Sequence, residues 1–347
     1  MAVFLGSDIF RGSGYGSGHP LNIPRVWPVI DICRAQGWLN DNQFEMVPPA
    51  TVHELECFHT RDYIQALMDA EQNQKLDEMR SKKHKIGTYS NPIYPEIYRR
   101  PATAAKASLQ GAQYLISGKH TRVFNPSGGT HHGFPDSANG FCFVNDPAIA
   151  LTTLYQQTSK KIAYIDIDAH HPDGVQEHFS HLERMILFSI HEADRWPRTG
   201  KKGDFGGGNA HNYPLARGSN DNDLNVVINT QVLPLLSAFA PEFIVLQAGA
   251  DGLKEDPQSG LCYTNKGYWL TISTILNLNI PILVLGGGGY NPFTTARAWT
   301  GVWGLMIGKN PHKTECVSES RAILKSLKFP HRLGKNIPDR WISRLFD

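Results

Sequence analysis

Asp166, Asp168, His170, His171 and Asp173 set three carboxylates and two imidazoles within eight positions, directly after the apolar run Tyr164-Ile165. Oxygen and nitrogen donors at that density are the makings of a metal site. In a strand, side chains at i, i+2 and i+4 share one face, so Asp166, Asp168 and His170 can turn together toward the C-terminal edge of a sheet, where α/β proteins place their chemistry. The ordinary alternative is a solvated turn after a buried strand, and for a single Asp it would be preferred. Three potential anions at one strand tip are different. Even partly buried, they cost several kcal/mol without a cation.

Four more clusters each follow a short apolar run: Gly128-Gly129-Thr130-His131-His132, Ser189-Ile190-His191, Gly249-Ala250-Asp251-Gly252, and Gly286 to Gly289 with Tyr290. Singly each is weak, because a His pair in a loop is more often structural and a glycine run is usually a turn or a close backbone approach. In a parallel sheet, however, all strand tips lie on one edge, and five coincident clusters there predict an active site. The glycine run is not a nucleotide fingerprint, since neither GxGxxG nor GxxxxGK[ST] spacing occurs.

The elements that must position these residues are legible in the same way. Apolar runs at Val3 to Leu5, Val123 to Phe124, Ile162 to Ile167, Met185 to Ile190, Phe243 to Leu246 and Ile282 to Leu285 alternate with helical stretches near 99–118, 145–158, 224–239, 266–279 and 293–307. That alternation predicts a parallel sheet covered by helices. Pro24 and Pro147 stand where a first helical turn tolerates them. The glycine-rich stretch 198–220 reads as a functional surface loop, and 73–86 as a solvated helix or loop.

Composition bounds the function. The 347 residues, 41% hydrophobic and undivided by any Pro/Ser/Gly-rich linker, predict one α/β domain over 1–347. Thirty-four basic against 32 acidic residues leave a charge of +2, so neither nucleic acid nor an anionic membrane is an expected partner. The five cysteines (Cys33, Cys57, Cys142, Cys262, Cys316) are odd in number and lack CxxC spacing, which fits reduced core thiols. No basic, apolar leader opens the sequence and no run of about 18 apolar residues occurs, so a soluble, cytoplasmic protein is expected. Nothing in the sequence marks an oligomeric state.

Asp-Ile-Asp-Ala-His-His-Pro-Asp-Gly-Val-Gln (166–176), Gly-Thr-His-His (129–132), Asn-Gly-Phe-Cys-Phe-Val-Asn-Asp (139–146), Gly-Ala-Asp (249–251) and Leu-Gly-Gly-Gly-Gly-Tyr (285–290) resemble the signature blocks of the histone deacetylase superfamily, including its acetoin-utilisation and acetylpolyamine branches. The blocks stand in the family's order, and Gly18-His19-Pro20 with Arg25 extends the resemblance over nearly the whole chain. It implies an arginase/deacetylase fold, a mostly parallel sheet of about eight strands flanked by helices. It also implies one catalytic divalent metal, zinc with iron(II) as the alternative, held by Asp168, His170 and Asp251. Three protein ligands leave a position open for water, as a catalytic zinc requires.

By the same resemblance, Asp166 orients His131 and Asp173 orients His132. His132 then acts as general base, His131 gives electrostatic support, and Tyr290 donates to the oxyanion. Phe141 and Trp196 match the walls of an acyl-lysine tunnel, and the Gly140 carbonyl the acceptor for the scissile N–H. Asp166, Asp168, His170, Ser189 and Ile190 match a structural potassium site built largely from carbonyl oxygens. The implied substrate is an acylated amine: an acetyl-lysine peptide, an acetylpolyamine or a small metabolite.

Some residues depart from the family pattern. Pro172 replaces the usual Gly and lacks a backbone N–H. Ser90 stands where a rim Asp commonly grips a peptide backbone, with Glu96 and Asp194 as nearby acidic substitutes. Trp196 replaces Phe, and Gln258 an apolar residue. Two other readings are open. A ureohydrolase of the same fold needs a second metal and DAHxD, where this chain has DAHHPD. A non-catalytic acyl-amine sensor would need no general base or oxyanion donor.

Overall fold

The six apolar runs are six of eight strands that a computed structural model places in one sheet; it describes residues 2–16 and 18–347. Met1 and Ser17 lie outside the described residues. The strands are β1 (Ala2–Gly6), β2 (Phe44–Met46), β3 (Arg122–Asn125), β4 (Ile162–Asp166), β5 (Met185–Glu192), β6 (Ala210–Leu215), β7 (Phe243–Gln247) and β8 (Ile282–Leu285). They run in the order β2-β1-β3-β8-β7-β4-β5-β6, every neighbouring pair parallel. The result is a single α/β domain with helices over both faces of the sheet.

The inner strands read as continuous apolar runs because both faces are buried. In β4, Ala163 and Ile165 enter one core, Ile162 and Tyr164 the other. The two strands not foreseen, β2 and β6, are the sheet's edges. An edge strand is covered less, so Phe44-Glu45-Met46 and Ala210 to Leu215 carry no long apolar run, and Pro214 is tolerated. β6 also corrects the reading of 198–220 as loop throughout.

Four expected helices form at Arg99–Ser117, Asp146–Gln157, Asn265–Leu276 and Pro292–Met306. The stretch expected at 224–239 is broken by a wider turn over Ile228–Val232, between Asp221–Val227 and Leu233–Phe239. Pro234 explains this, because it has no N–H to give the preceding turn. Pro147 lies in the first turn of its helix. Pro24 does not: it precedes the cap residue Arg25 of the helix Val26–Ala35. Within 73–86 a helix forms at Glu78–His84. Among the described residues no helix is long and apolar enough to cross a membrane.

Candidate active site

β3, β8, β7 and β4 are consecutive at the middle of the sheet, and each ends in one of the chemical clusters. His131 and His132 follow β3, Tyr290 follows β8, Asp251 follows β7, and Asp168 and His170 follow β4. Pairing Asp166 with Gln247 brings the last two tips side by side. Residues more than a hundred positions apart therefore meet at one sheet edge.

Asp168, His170 and Asp251 are buried, and one donor atom from each lies within 4.8 Å of the others. His170 Nδ1 stands 2.9 Å from Asp251 Oδ2 and 3.2 Å from Asp168 Oδ1. Bonds of about 2.0–2.2 Å to a tetrahedral zinc put donors a little over 3 Å apart, so the trio fits such an ion. Burial and the Asp168 charge push the Asp251 carboxyl up to about 6, a repulsion that a divalent cation would relieve. Asp166 turns elsewhere. Its Oδ2 accepts from His131 Nδ1 at 2.7 Å and from the Tyr164 hydroxyl at 2.6 Å, and its Oδ1 from the Asp168 N–H.

The two histidines form parallel dyads. His132 Nδ1 donates to Asp173 Oδ1 at 2.6 Å, and Asn139 Nδ2 holds the other Asp173 oxygen at 3.0 Å. The two Nε2 atoms are 3.0 Å apart, so one proton at most lies between them. Burial opposes charge on both rings. For His131 the Asp166 and Asp168 carboxylates prevail and raise it to about 9, whereas burial and the neighbouring His131 charge lower His132 to about 4. His132 is thus the ring with a free Nε2 lone pair near neutral pH. Pro172, with φ −79°, caps the helix Asp173–Phe179, where a missing N–H costs nothing.

Tyr290 ends a glycine run that no other residue could replace. A Cβ on Gly288 would stand 2.1 Å from Asp251 Oδ2, and Gly287 has φ +129°. Close approach lets the Gly288 N–H reach Asp168 Oδ2 at 2.6 Å. Straps hold the flexible run: Arg25 Nη1 donates to Gly287 O at 2.7 Å, and the Tyr290 N–H to the buried Asp256 at 2.6 Å. Among the described residues the Tyr290 hydroxyl has no partner, and burial pushes its pKa well up.

Ser90, His132, Gly140, Phe141, His170, Arg195, Trp196, Gln258 and Tyr290 line one cavity of about 190 Å³. Every substrate residue expected from the sequence is there except Arg25, which lines a smaller inner cavity of about 40 Å³ behind His131 and Tyr290. The Trp196 ring lies 4.6 Å from His132 and 6.4 Å from His170, and Phe141 lies 6.1 Å from Tyr290. Glu96 and Asp194 are not among the lining residues. Of the residues expected to hold potassium, Ser189 pairs with Asp166 across β4 and β5.

The histone deacetylase domain pattern matches residues 19–306. The chain belongs to the histone deacetylase family. Histone deacetylase 8 of Xenopus tropicalis is 32% identical over 291 residues, 82% of this chain and 78% of its own length. A crystal structure of an HDAC homolog complexed with SAHA superposes with a TM-score of 0.94 at 32% identity, covering 100% of this chain and 94% of that one. An HDAC homolog from Aquifex aeolicus gives 0.93 at 32%, with 100% and 95% covered. Family and fold are those of deacetylases, hydrolases of the amide bond.

Several supports of this candidate site carry no signal of their own in the sequence. Asp146 is buried and collects the N–H groups of Gly129 and Thr130 with the hydroxyls of Thr130 and Ser108, fixing the loop that carries both histidines. Its place in the block 139–146 was the available signal. Gln247 holds Gly129 O at 2.8 Å. Asn145 N–H donates to the buried His59 Nε2 at 2.9 Å, while His59 Nδ1 faces Pro135 O.

Burial lowers His59 from 6.5 to about 4. The folded state therefore binds this proton more weakly than the unfolded one. Its stabilising contribution is complete above pH 6.5 and is lost as pH falls toward 4, by up to about 3 kcal/mol. His59→Gln should flatten the loss of stability across that window in urea titrations. An unchanged slope would exclude His59 as a source.

Proposed function

We propose that the protein is a metal-dependent amidohydrolase that releases acetate, or another short acyl group, from N-acylated primary amines such as acetyl-lysine or acetylpolyamines. What supports this most is the cavity lined together by His132, His170, Tyr290, Phe141 and Trp196. Asp168, His170 and Asp251 would hold zinc, with iron(II) as the alternative. The bound ion would supply Lewis acidity to a water and to the substrate carbonyl.

The chain's own residues account for the rest of the chemistry. His132 Nε2 takes a proton from the attacking water while Asp173 holds Nδ1, and can return it to the leaving amine. His131, kept in register by Asp166, stabilises the negative charge that develops. The Tyr290 hydroxyl donates to the oxyanion, and the glycine run aims it there. Phe141 and Trp196 exclude water along the acyl chain, and the Gly140 carbonyl accepts the scissile N–H. Asp166, Asp168, His170, Ser189 and Ile190 would hold potassium, which would brace β4 against β5.

Tyr290→Phe should retain fold and metal while kcat drops roughly 10²- to 10³-fold, the scale of one lost oxyanion donor, with KM moving less. Acetate release from an acetyl-lysine peptide and from acetylputrescine, measured on both proteins, tests this. A variant as fast as the parent would remove Tyr290 from the mechanism.

A further inference from the structure

Of the described residues lining the 190 Å³ cavity, none is a carboxylate, and Arg195 alone carries a permanent charge. That charge is held in place. Arg195 Nε pairs with Glu192 Oε2, and Nη1 donates to Gln258 O at 2.5 Å, which leaves Nη2 as the unused donor edge. Glu192 is the last residue of β5, only 4% exposed, and it also accepts the Gly260 N–H at 2.7 Å. Arg217 Nη1 approaches its other oxygen at 3.8 Å. Two guanidiniums thus face the one Glu192 carboxylate, and Arg195 is the one of them that lines the cavity with Trp196.

We propose that Arg195 selects what lies beyond the acylated amine. It takes a carboxylate or carbonyl oxygen just past the mouth and disfavours a second ammonium, so the preferred substrates are N-acyl amines with an anionic far end rather than acylated polyamines. The inference rests on the deacylase reading above. A guanidinium already fixed by Glu192 and Gln258 loses little freedom on accepting an anion, and a half-buried site screens the charge less than open solvent does. The same charge repels a cation at the same spot.

Three compounds that share the same five-methylene spacer test it: 6-acetamidohexanoate, N-hexylacetamide and N-acetylcadaverine, which end in carboxylate, methyl and ammonium. With the zinc-loaded protein, kcat/KM should fall in that order. The anion should exceed the cation roughly tenfold or more at low salt, chiefly through KM, and the ratio should shrink as salt rises. Arg195→Gln should bring the ratio toward one, and Arg195→Lys should keep part of it. If Glu192, left buried without its partner, unfolds the first variant, the pair Glu192→Gln with Arg195→Gln carries the same prediction. A ratio near one in the parent, or one unchanged without Arg195, overturns the assignment to Arg195. If neither the neutral compound nor an acetyl-lysine peptide is hydrolysed, the deacylase reading fails and this inference fails with it.

Discussion

Alanine at Asp168, His170 or Asp251 should abolish metal binding and turnover together. The three donors converge from two adjacent strand tips, and two remaining ligands do not hold a catalytic metal well. Asp251→Ala goes further, because Asp251 Oδ1 also accepts the Ala169 N–H at 2.8 Å between the other two ligands. Its loss frees the very loop that aims Asp168 and His170. The check is metal analysis of each purified variant beside its rate of acetate release, with circular dichroism to confirm folding. Stoichiometric zinc and normal turnover in any one of them would rule out that residue as a ligand.

His132→Ala should cost roughly 10²- to 10⁴-fold in rate, the usual scale for a general acid-base group. His132 is the better base of the pair, since burial and the charge on His131 keep its Nε2 unprotonated at neutral pH. Protonation of this base lowers activity, so kcat/KM should fall on the acid side with a midpoint below the ordinary 6.5 of histidine. Because the two Nε2 atoms are only 3.0 Å apart, the two rings titrate together and the midpoint belongs to the pair. Replacing His132 should remove that acid limb. An identical pH profile in His132→Ala would assign the limb to another group.

The inner strands of this sheet are easier to read from the sequence than its edges. Buried parallel strands such as β4 and β7 announce themselves as unbroken apolar runs, and the motifs at their tips follow from topology alone. β2 and β6 escaped because an edge strand need bury little. The break at Ile228–Val232 escaped because one proline, Pro234, overrides an otherwise helical pattern. Asp168, His170 and Asp251 were legible by residue type and by resemblance. Residues that act through others were not: Asp146, Asp256 and Glu192 each satisfy backbone N–H groups of loops distant in sequence. A lone carboxylate in a sequence carries no sign of which loop it will hold. Trp196, Gln258 and Ser90 line one cavity, and Arg195, which no motif marks, joins them there only once the loops are in contact.

Acetate release should depend on one metal held by Asp168, His170 and Asp251. The direct measurement is to strip the purified protein with a chelator, restore zinc in steps, and follow acetate released from an acetyl-lysine peptide. The stripped protein should show no turnover, and activity should recover linearly and saturate at one zinc per chain. Turnover that persists without metal, or none at one equivalent of zinc or iron(II), would contradict that dependence.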